Sequence, residues 1–259
     1  MSNSPVGIFD SGIGGTSIFK EVHTLLPNEN IIYLADSKNA PYGNKSKEEI
    51  IQLSIKNTEL LIEKGCKLII VACNTATTNA ISYLRNNYTI PFIGIEPAIK
   101  PAALNTQSKA IGILATKGTL SSQLFHKTTD LYANDIKVVE KVGEGIVSLI
   151  ETGQIASDEM KALLKTYIKP MLKENIDYLV LGCTHYPYLI PLLKKMLPEH
   201  VKIIDSGLAV AKQTKMVLDS TNLLNISEIS PTIELYTNGN VNVLNSILEH
   251  QFSTNYLDF

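Results

Sequence analysis

Short runs of apolar, often β-branched residues alternate along this chain with stretches in which apolar residues recur every three or four positions. That alternation predicts buried parallel strands joined by helices, an α/β fold. The first run is Val6-Gly7-Ile8-Phe9, followed by the glycine-rich Asp10-Ser11-Gly12-Ile13-Gly14-Gly15 and a helix turning Ile18, Val22, Leu25 and Leu26 inward. Ile31-Ile32-Tyr33-Leu34 is the next strand, leading into a loop at Ala35 to Gly43. Ser46 and Glu49 have capping-box spacing, and the helix they begin places Ile51, Ile55 and Ile62 on one side and stops at Gly65. Lys67-Leu68-Ile69-Ile70 is a strand ending near Cys73, with helical spacing of Ala80, Ile81 and Leu84 beyond it. A strand at Pro91 to Ile95 closes this half, and Glu96-Pro97 reads as a crossing point.

The pattern then restarts. Ala110 to Leu114 is a strand, followed by a helix carrying Leu120, Leu124, Phe125 and Leu131, and by a strand at Ile136 to Val139. Glu144 to Glu151 reads as a short helix, and Ser157 to Lys173 as a longer one that Pro170 should kink or end. Tyr178-Leu179-Val180-Leu181 is a strand ending near Cys183, with Leu189, Leu192, Leu193, Met196 and Leu197 at helical spacing after it. A strand at Val201 to Ile204, a helix over Leu208 to Leu218, an extra strand at Ile233 to Tyr236 and a helix from Val241 to His250 complete the reading.

The halves match. Cys73 and Cys183 lie 110 positions apart, as do Ile93 and Ile203, while an offset of 105 pairs Gly7 with Gly112 and Ser11 with Thr116. The expectation is two similar α/β domains with mainly parallel sheets, pseudo-symmetric about an interdomain cleft. Residues 1–96 plus 209–259 form the first and residues 97–208 the second, the last segment being expected to return to the first half. Ligands of open α/β sheets bind beyond the carboxyl ends of the strands, which is where both cysteines fall.

Composition removes several classes of function. The net charge is −2 and no basic block occurs, so nucleic acid is not an expected partner. No apolar run is long enough to cross a bilayer, and the first residues lack the pattern of a signal peptide, so a cytoplasmic chain with free thiols is expected. Cys66 has no motif around it and reads as structural. Arg85 is the one arginine, so carboxylates must be held by backbone N–H groups, hydroxyls, amides or lysine rather than by arginine forks.

Two thiols facing each other across a cleft can remove a proton from one face of a carbon and deliver one to the other. That is two-base racemisation or epimerisation. A helix start beside each cysteine would favour the thiolate, and Asp10 and His185 are plausible proton-handling partners for Cys73 and Cys183. Ser11, Asn74, Thr75, Thr116, Thr119 and Thr184 could supply donors for a small zwitterionic, carboxylate-bearing substrate. Cys183 and His185 lack a second ligand pair at zinc spacing, so no metal is expected. Three other readings stand beside this one. Gly12-Ile13-Gly14 with Asp36 matches part of a dinucleotide-binding fingerprint, although Ser17 occupies the third glycine position. A non-catalytic amino-acid-binding protein would use the same cleft. A thiol redox enzyme fits least, since no Cys-x-x-Cys occurs.

Phe9-Asp10-Ser11-Gly12-Ile13-Gly14-Gly15, Pro41-Tyr42-Gly43, Ala72-Cys73-Asn74-Thr75-Ala76 and Gly182-Cys183-Thr184-His185-Tyr186-Pro187 together resemble glutamate racemase, of the cofactor-independent aspartate/glutamate racemase superfamily. The resemblance implies interconversion of L- and D-glutamate without pyridoxal phosphate, supplying D-glutamate for peptidoglycan. It implies that Cys73 deprotonates the D-isomer and Cys183 the L-isomer, with Asp10 and His185 assisting. Ser11, Pro41, Tyr42, Gly43, Asn74, Thr75, Thr116, Thr119, Thr184 and His185 would line the glutamate pocket, and a homodimer is implied. Tyr42 has a second reading, as a ring packed over its Pro-Gly turn. Between Val142 and Glu151 the chain departs from the pattern: Glu151 stands where relatives carry a site-proximal glutamate, but their Cys-Pro pair and later proline are missing. Glu151 is accordingly read as a solvated helix-end charge.

Overall fold

The computed structural model describes residues 2–227 and 229–259. Among the described residues ten strands and eleven α-helices follow one another. The strands are β1 (Val6–Asp10), β2 (Ile31–Ala35), β3 (Leu68–Val71), β4 (Phe92–Gly94), β5 (Ala110–Ala115), β6 (Lys137–Val142), β7 (Tyr178–Gly182), β8 (Lys202–Ile204), β9 (Ile233–Thr237) and β10 (Thr254–Tyr256). The helices of the first part are α1 (Thr16–Leu25), α2 (Lys47–Glu63), α3 (Asn74–Asn87) and α4 (Ile99–Asn105). Then come α5 (Lys117–Leu120), α6 (Gln123–Tyr132), α7 (Ile146–Glu151), α8 (Asp158–Lys173), α9 (Ile190–Met196), α10 (Gly207–Ser220) and α11 (Val241–Ile247).

The strands form two sheets, β10-β9-β2-β1-β3-β4 and β6-β5-β7-β8, and every pairing is parallel. Within them the orders β2-β1-β3-β4 and β6-β5-β7-β8 are the same, as duplication of one unit requires. The registers also agree at the centre, where Phe9 opposes Val71 in one sheet and Leu114 opposes Leu181 in the other. The outer pairing does not follow the duplication: Ile69 opposes Phe92, whereas Leu179 opposes Ile203, a slip of one residue. β9 and β10 extend the first sheet beyond β2. The central strands are apolar and buried along their length, as parallel strands covered on both faces must be. One core cluster runs continuously from Val6, Ile18 and Phe19 of the first half to Tyr186, Leu189 and Leu193 of the second.

Several local expectations are corrected. In α2 the capping box forms, Ser46 accepting from the Glu49 N–H and Glu49 from the Ser46 N–H, but the inward stripe is Ile50, Ser54, Asn57, Thr58 and Leu61. Ile62 is left 40% exposed. The stripe is partly polar because Asn57 donates to the buried Tyr42 hydroxyl at 3.2 Å, and hydropathy alone therefore selects the wrong face. The helix expected around Leu120 to Leu131 is broken at Ser121 and Ser122, where the Ser122 hydroxyl caps α6, and Leu131 points to solvent. Pro170 neither ends nor breaks α8, which continues to Lys173. Only its last turn loses a backbone donor, while Met160, Leu164, Ile168 and Met171 hold its buried face. Cys183 is followed by a turn and a short 3-10 segment, Tyr186–Leu189, before α9, so the helix start expected directly beside it is absent.

Candidate active site

The carboxyl ends of β1 and β3 face those of β5 and β7, and the motifs quoted above meet there. Cys73 is the N-cap of α3, its sulfur accepting the Ala76 N–H at 3.4 Å while its thiol points to Ser11 Oγ at 3.5 Å. Across the cleft Cys183 Sγ lies 3.7 Å from His185 Nδ1. Both cysteines are buried, with 4% and 7% of their surface exposed, so a reactant can reach them only if the halves part.

Asp10 is fully buried at the end of β1. Its Oδ2 accepts the N–H groups of Gly12 (3.0 Å) and Gly15 (3.1 Å), and its Oδ1 accepts the Thr184 hydroxyl (3.1 Å). Burial pushes its carboxyl up to about 6; His185 opposes that shift, Glu151 adds to it, and the two amides oppose it. The carboxylate thus reaches across to the neighbour of Cys183 rather than bonding to Cys73, the partner expected from sequence. Burial and the charge of Asp10 raise Cys73 above the ordinary thiol range, against the pull of its bonds to Ser11 and Ala76, so Cys73 rests as a thiol in the closed site.

Glu151, read as solvated, is instead at the centre of the arrangement. It ends α7 with a side chain only 12% exposed. Its Oε1 accepts the Ile13 N–H (2.7 Å) and faces His185 Nε2 (2.5 Å), and its Oε2 accepts the Ser37 hydroxyl (2.8 Å). Burial opposes charge on His185, but the hydrogen bonds and charges of Cys183 and Glu151 outweigh it and raise His185 well above the usual imidazole range. A chain Cys183–His185–Glu151 results, in which the imidazole can exchange a proton with the sulfur while the carboxylate holds the ring.

The glycines of the first loop make this contact possible. A Cβ on Gly12 would lie 1.9 Å from Glu151 Oε1, and one on Gly14 would lie 2.2 Å from His185 Nδ1. The loop therefore receives side chains from the other half where the fingerprint reading would place a pyrophosphate. Asp36, which that reading assigns to a ribose, is already engaged by Asn39, Tyr42, Lys56 and Asn238.

Thr75 of the first half meets Thr116 (2.8 Å) and Thr119 (3.3 Å) of the second, and these two lie 3.0 Å apart. Asn74 is 3% exposed, and neither its amide nitrogen nor its amide oxygen has a hydrogen-bond partner. A buried amide in that condition costs free energy until a ligand or water satisfies it. Pro41 and Gly43 join Thr116, Gly143 and Glu144 around a polar cavity of about 260 Å³ between the halves. Tyr42 is turned into the fold, its hydroxyl donating to Asp36 at 2.6 Å, which favours its packing role. Sequence reasoning noted Glu151 but set it aside as a solvated charge, and it missed Ser37. The signal available was the glycine loop, whose small residues leave room for a side chain from elsewhere.

Residues 14–214 match the model of the Asp/Glu/hydantoin racemase family. The glutamate racemase of Herpetosiphon aurantiacus is 44% identical over 239 residues, covering 92% of this chain and 94% of that protein. The chain belongs to the Asp/Glu/hydantoin racemase family. It is an isomerase. Among solved structures, glutamate racemase isoform RacE1 of Bacillus anthracis superimposes with a TM-score of 0.87 at 31% identity, covering all of this chain and 98% of the other. The Francisella tularensis glutamate racemase solved with D-glutamate has a TM-score of 0.85 at 30% identity, over 100% and 98% of the two chains. Both sheets of this racemase thus follow a fold shared along the whole chain.

Proposed function

We propose that this racemase interconverts L- and D-glutamate, with Cys73 and Cys183 as the two bases. The observation that carries the reading is the placement of two matched thiols at the ends of β3 and β7, one in each facing half, with hydroxyls, amides and the unsatisfied Asn74 between them. Glutamate rather than another acid is favoured by the relatives, which carry the name glutamate racemase, one of them solved with D-glutamate.

In the L-to-D direction the Cys183 thiolate, its own proton having passed to His185, takes the Cα proton of L-glutamate. The S–H bond forms as the C–H bond breaks, leaving the electron pair on the carbon. Cys73 then delivers its thiol proton to the opposite face, giving D-glutamate and a Cys73 thiolate. A D-to-L turnover, or proton exchange with solvent, restores the starting state. Asp10 and His185 assist in handling these protons. Asn74, Thr75, Thr116, Thr119, Thr184 and Ser11, with Pro41, Tyr42, Gly43 and His185, bind the substrate. No pyridoxal or metal takes part in the proposed route.

The proposal divides the chain into residues 1–96 with 209–259 and residues 97–208. Sheet membership supports it, with β9 and β10 joining β1 to β4 apart from β5 to β8. The resemblance extends it to a cytoplasmic homodimer whose D-glutamate feeds peptidoglycan synthesis. Cys73→Ser and Cys183→Ser should each lower racemisation by at least about a hundredfold while leaving the thermal midpoint nearly unchanged. Full activity in either variant, measured by circular dichroism of glutamate, would refute the two-thiol assignment.

A further inference from the structure

The segment after β9 does not touch either thiol, yet it holds the loop that bears Ser37. Asn238 follows β9 directly and is buried. Its Nδ2 donates to Asp36 Oδ1 (2.6 Å) and to the Phe259 carbonyl (3.1 Å), and its Oδ1 accepts the Lys38 N–H (2.9 Å). Its own N–H donates to the Ala35 carbonyl at 3.3 Å. One side chain thus grips the residues on both sides of Ser37. Gly239 packs on Ser37 itself, since a Cβ there would lie 2.5 Å from Ser37 Cβ. Lys56 of α2 braces the same cluster, donating to both Asp36 oxygens (3.3 Å each) and to the Phe259 carbonyl (3.1 Å).

We propose that Asn238 is a positioning residue that fixes Ser37, so that Ser37 in turn holds the Glu151 carboxylate against His185. The inference rests on the reading of Cys183 and His185 as a proton-handling pair. The terminal torsion of a glutamate side chain is soft. Anchored only through Oε1, by the Ile13 N–H, the carboxylate could swing about that bond and turn its lone pairs away from the ring. The Ser37 hydroxyl on Oε2 removes that freedom, and Oε1 stays 2.5 Å from His185 Nε2. Ser37 is a poor anchor by itself, because it lies in a half-buried three-residue turn, Ser37–Asn39. Asn238 supplies the rigidity, since its bonds to Asp36 and Lys38 fix the residues before and after the hydroxyl. The link then runs Asn238, Ser37, Glu151, His185, Cys183, from the end of β9 to the thiol of the opposite half. A segment outside the duplicated strand order thereby acts on one of the two bases, on the Cys183 side.

The test follows the imidazole titration of His185 by NMR in the whole protein, with kcat and KM for glutamate measured on the same samples. The variants are Ser37→Ala, Asn238→Ala, the two together, and Gly239→Ala, which leaves Asn238 whole and displaces Ser37 instead. Asn238 is buried, so Gly239→Ala gives a reading that does not depend on how well Asn238→Ala folds. Cys183 and Glu151 bond the ring and Asp10 adds its charge; of these three, Ser37 bonds Glu151, so its loss loosens a partner that keeps the ring charged. The expected result is a lower His185 midpoint in all four variants, with kcat reduced about tenfold or more and KM changed less. The double variant should match Ser37→Ala alone, because Asn238 has nothing to position once the hydroxyl is gone. An unmoved midpoint in Ser37→Ala, or in both Asn238→Ala and Gly239→Ala, overturns the proposal. Additive effects in the double variant overturn it too, since Asn238 would then act by a route other than Ser37. A lowered midpoint with an unchanged kcat keeps the positioning and counts instead against the Cys183–His185 pair in turnover.

Discussion

Asp10 illustrates how the site sets a single residue against the stability of the fold. Its carboxyl ordinarily titrates at 3.8 and is pushed up to about 6, chiefly by burial. An acid raised in the folded state binds its proton more tightly there than when unfolded, so stability falls as pH rises from about 4 to about 6 and stays lower above that. Asparagine can accept the Gly12 and Gly15 N–H bonds and donate to Thr184 without carrying the charge. Asp10→Asn should therefore stabilise the protein at neutral pH, by up to roughly 3 kcal/mol, and the advantage should vanish near pH 4. Thermal melts of both proteins across that range check this, and an advantage independent of pH would contradict it. Glu151 acts in the opposite sense, holding His185 charged. In Glu151→Gln the imidazole titration followed by NMR should move down, because the carboxylate that favours the charged ring is gone. An unmoved midpoint would mean that Cys183 alone sets the histidine.

At the scale of elements, the loop between β1 and α1 decides whether the halves can close on each other. Gly14 has an ordinary backbone conformation, so what it supplies is space for His185. Gly65 is the converse case, at φ +77 with nothing within 4 Å of the position of a Cβ. Gly14→Ala should abolish most racemisation with little loss of backbone stability. Gly65→Ala should cost about 1 kcal/mol of stability and leave the rate unchanged. A chemical-denaturation curve and a rate for each variant separate the two effects, and equal effects on activity would contradict the close-approach account. The strands β1 to β9 were legible because parallel strands covered on both faces are unbroken apolar runs, whereas the short helix α4 was not read. The inward face of α2 was not, because Asn57 is buried where it donates to Tyr42 and Ser54 where it donates to the Ile50 carbonyl, contacts that hydropathy cannot register. β10 was missed because Thr254-Asn255-Tyr256 is a three-residue edge strand without apolar patterning.

For the molecule as a whole, the shared apolar core joins the halves, and polar contacts close them around the site. Thr16 meets Tyr188, Ser17 donates to the Thr184 carbonyl, Asp10 accepts from Thr184, and Glu151 joins Ile13 and Ser37. Each is individually modest, so the halves can part to admit a reactant and close again without unfolding. Duplication was readable from the offsets between the cysteines and between the first strands. The cross-cleft partnerships were not, because they join residues such as Asp10 and Thr184, or Ile13 and Glu151, that only the facing of two folded halves brings together. The central claim, one thiol on each face of the substrate carbon, is tested most directly in D2O. L-glutamate is incubated with the reduced protein and no added cofactor, and the α-protons of both enantiomers are followed by NMR after chiral separation. The account predicts that at early times D-glutamate carries deuterium at Cα while the remaining L-glutamate keeps its proton, since the base that takes the proton differs from the one that returns it. Early deuterium in both enantiomers alike, or no exchange at all, would contradict it.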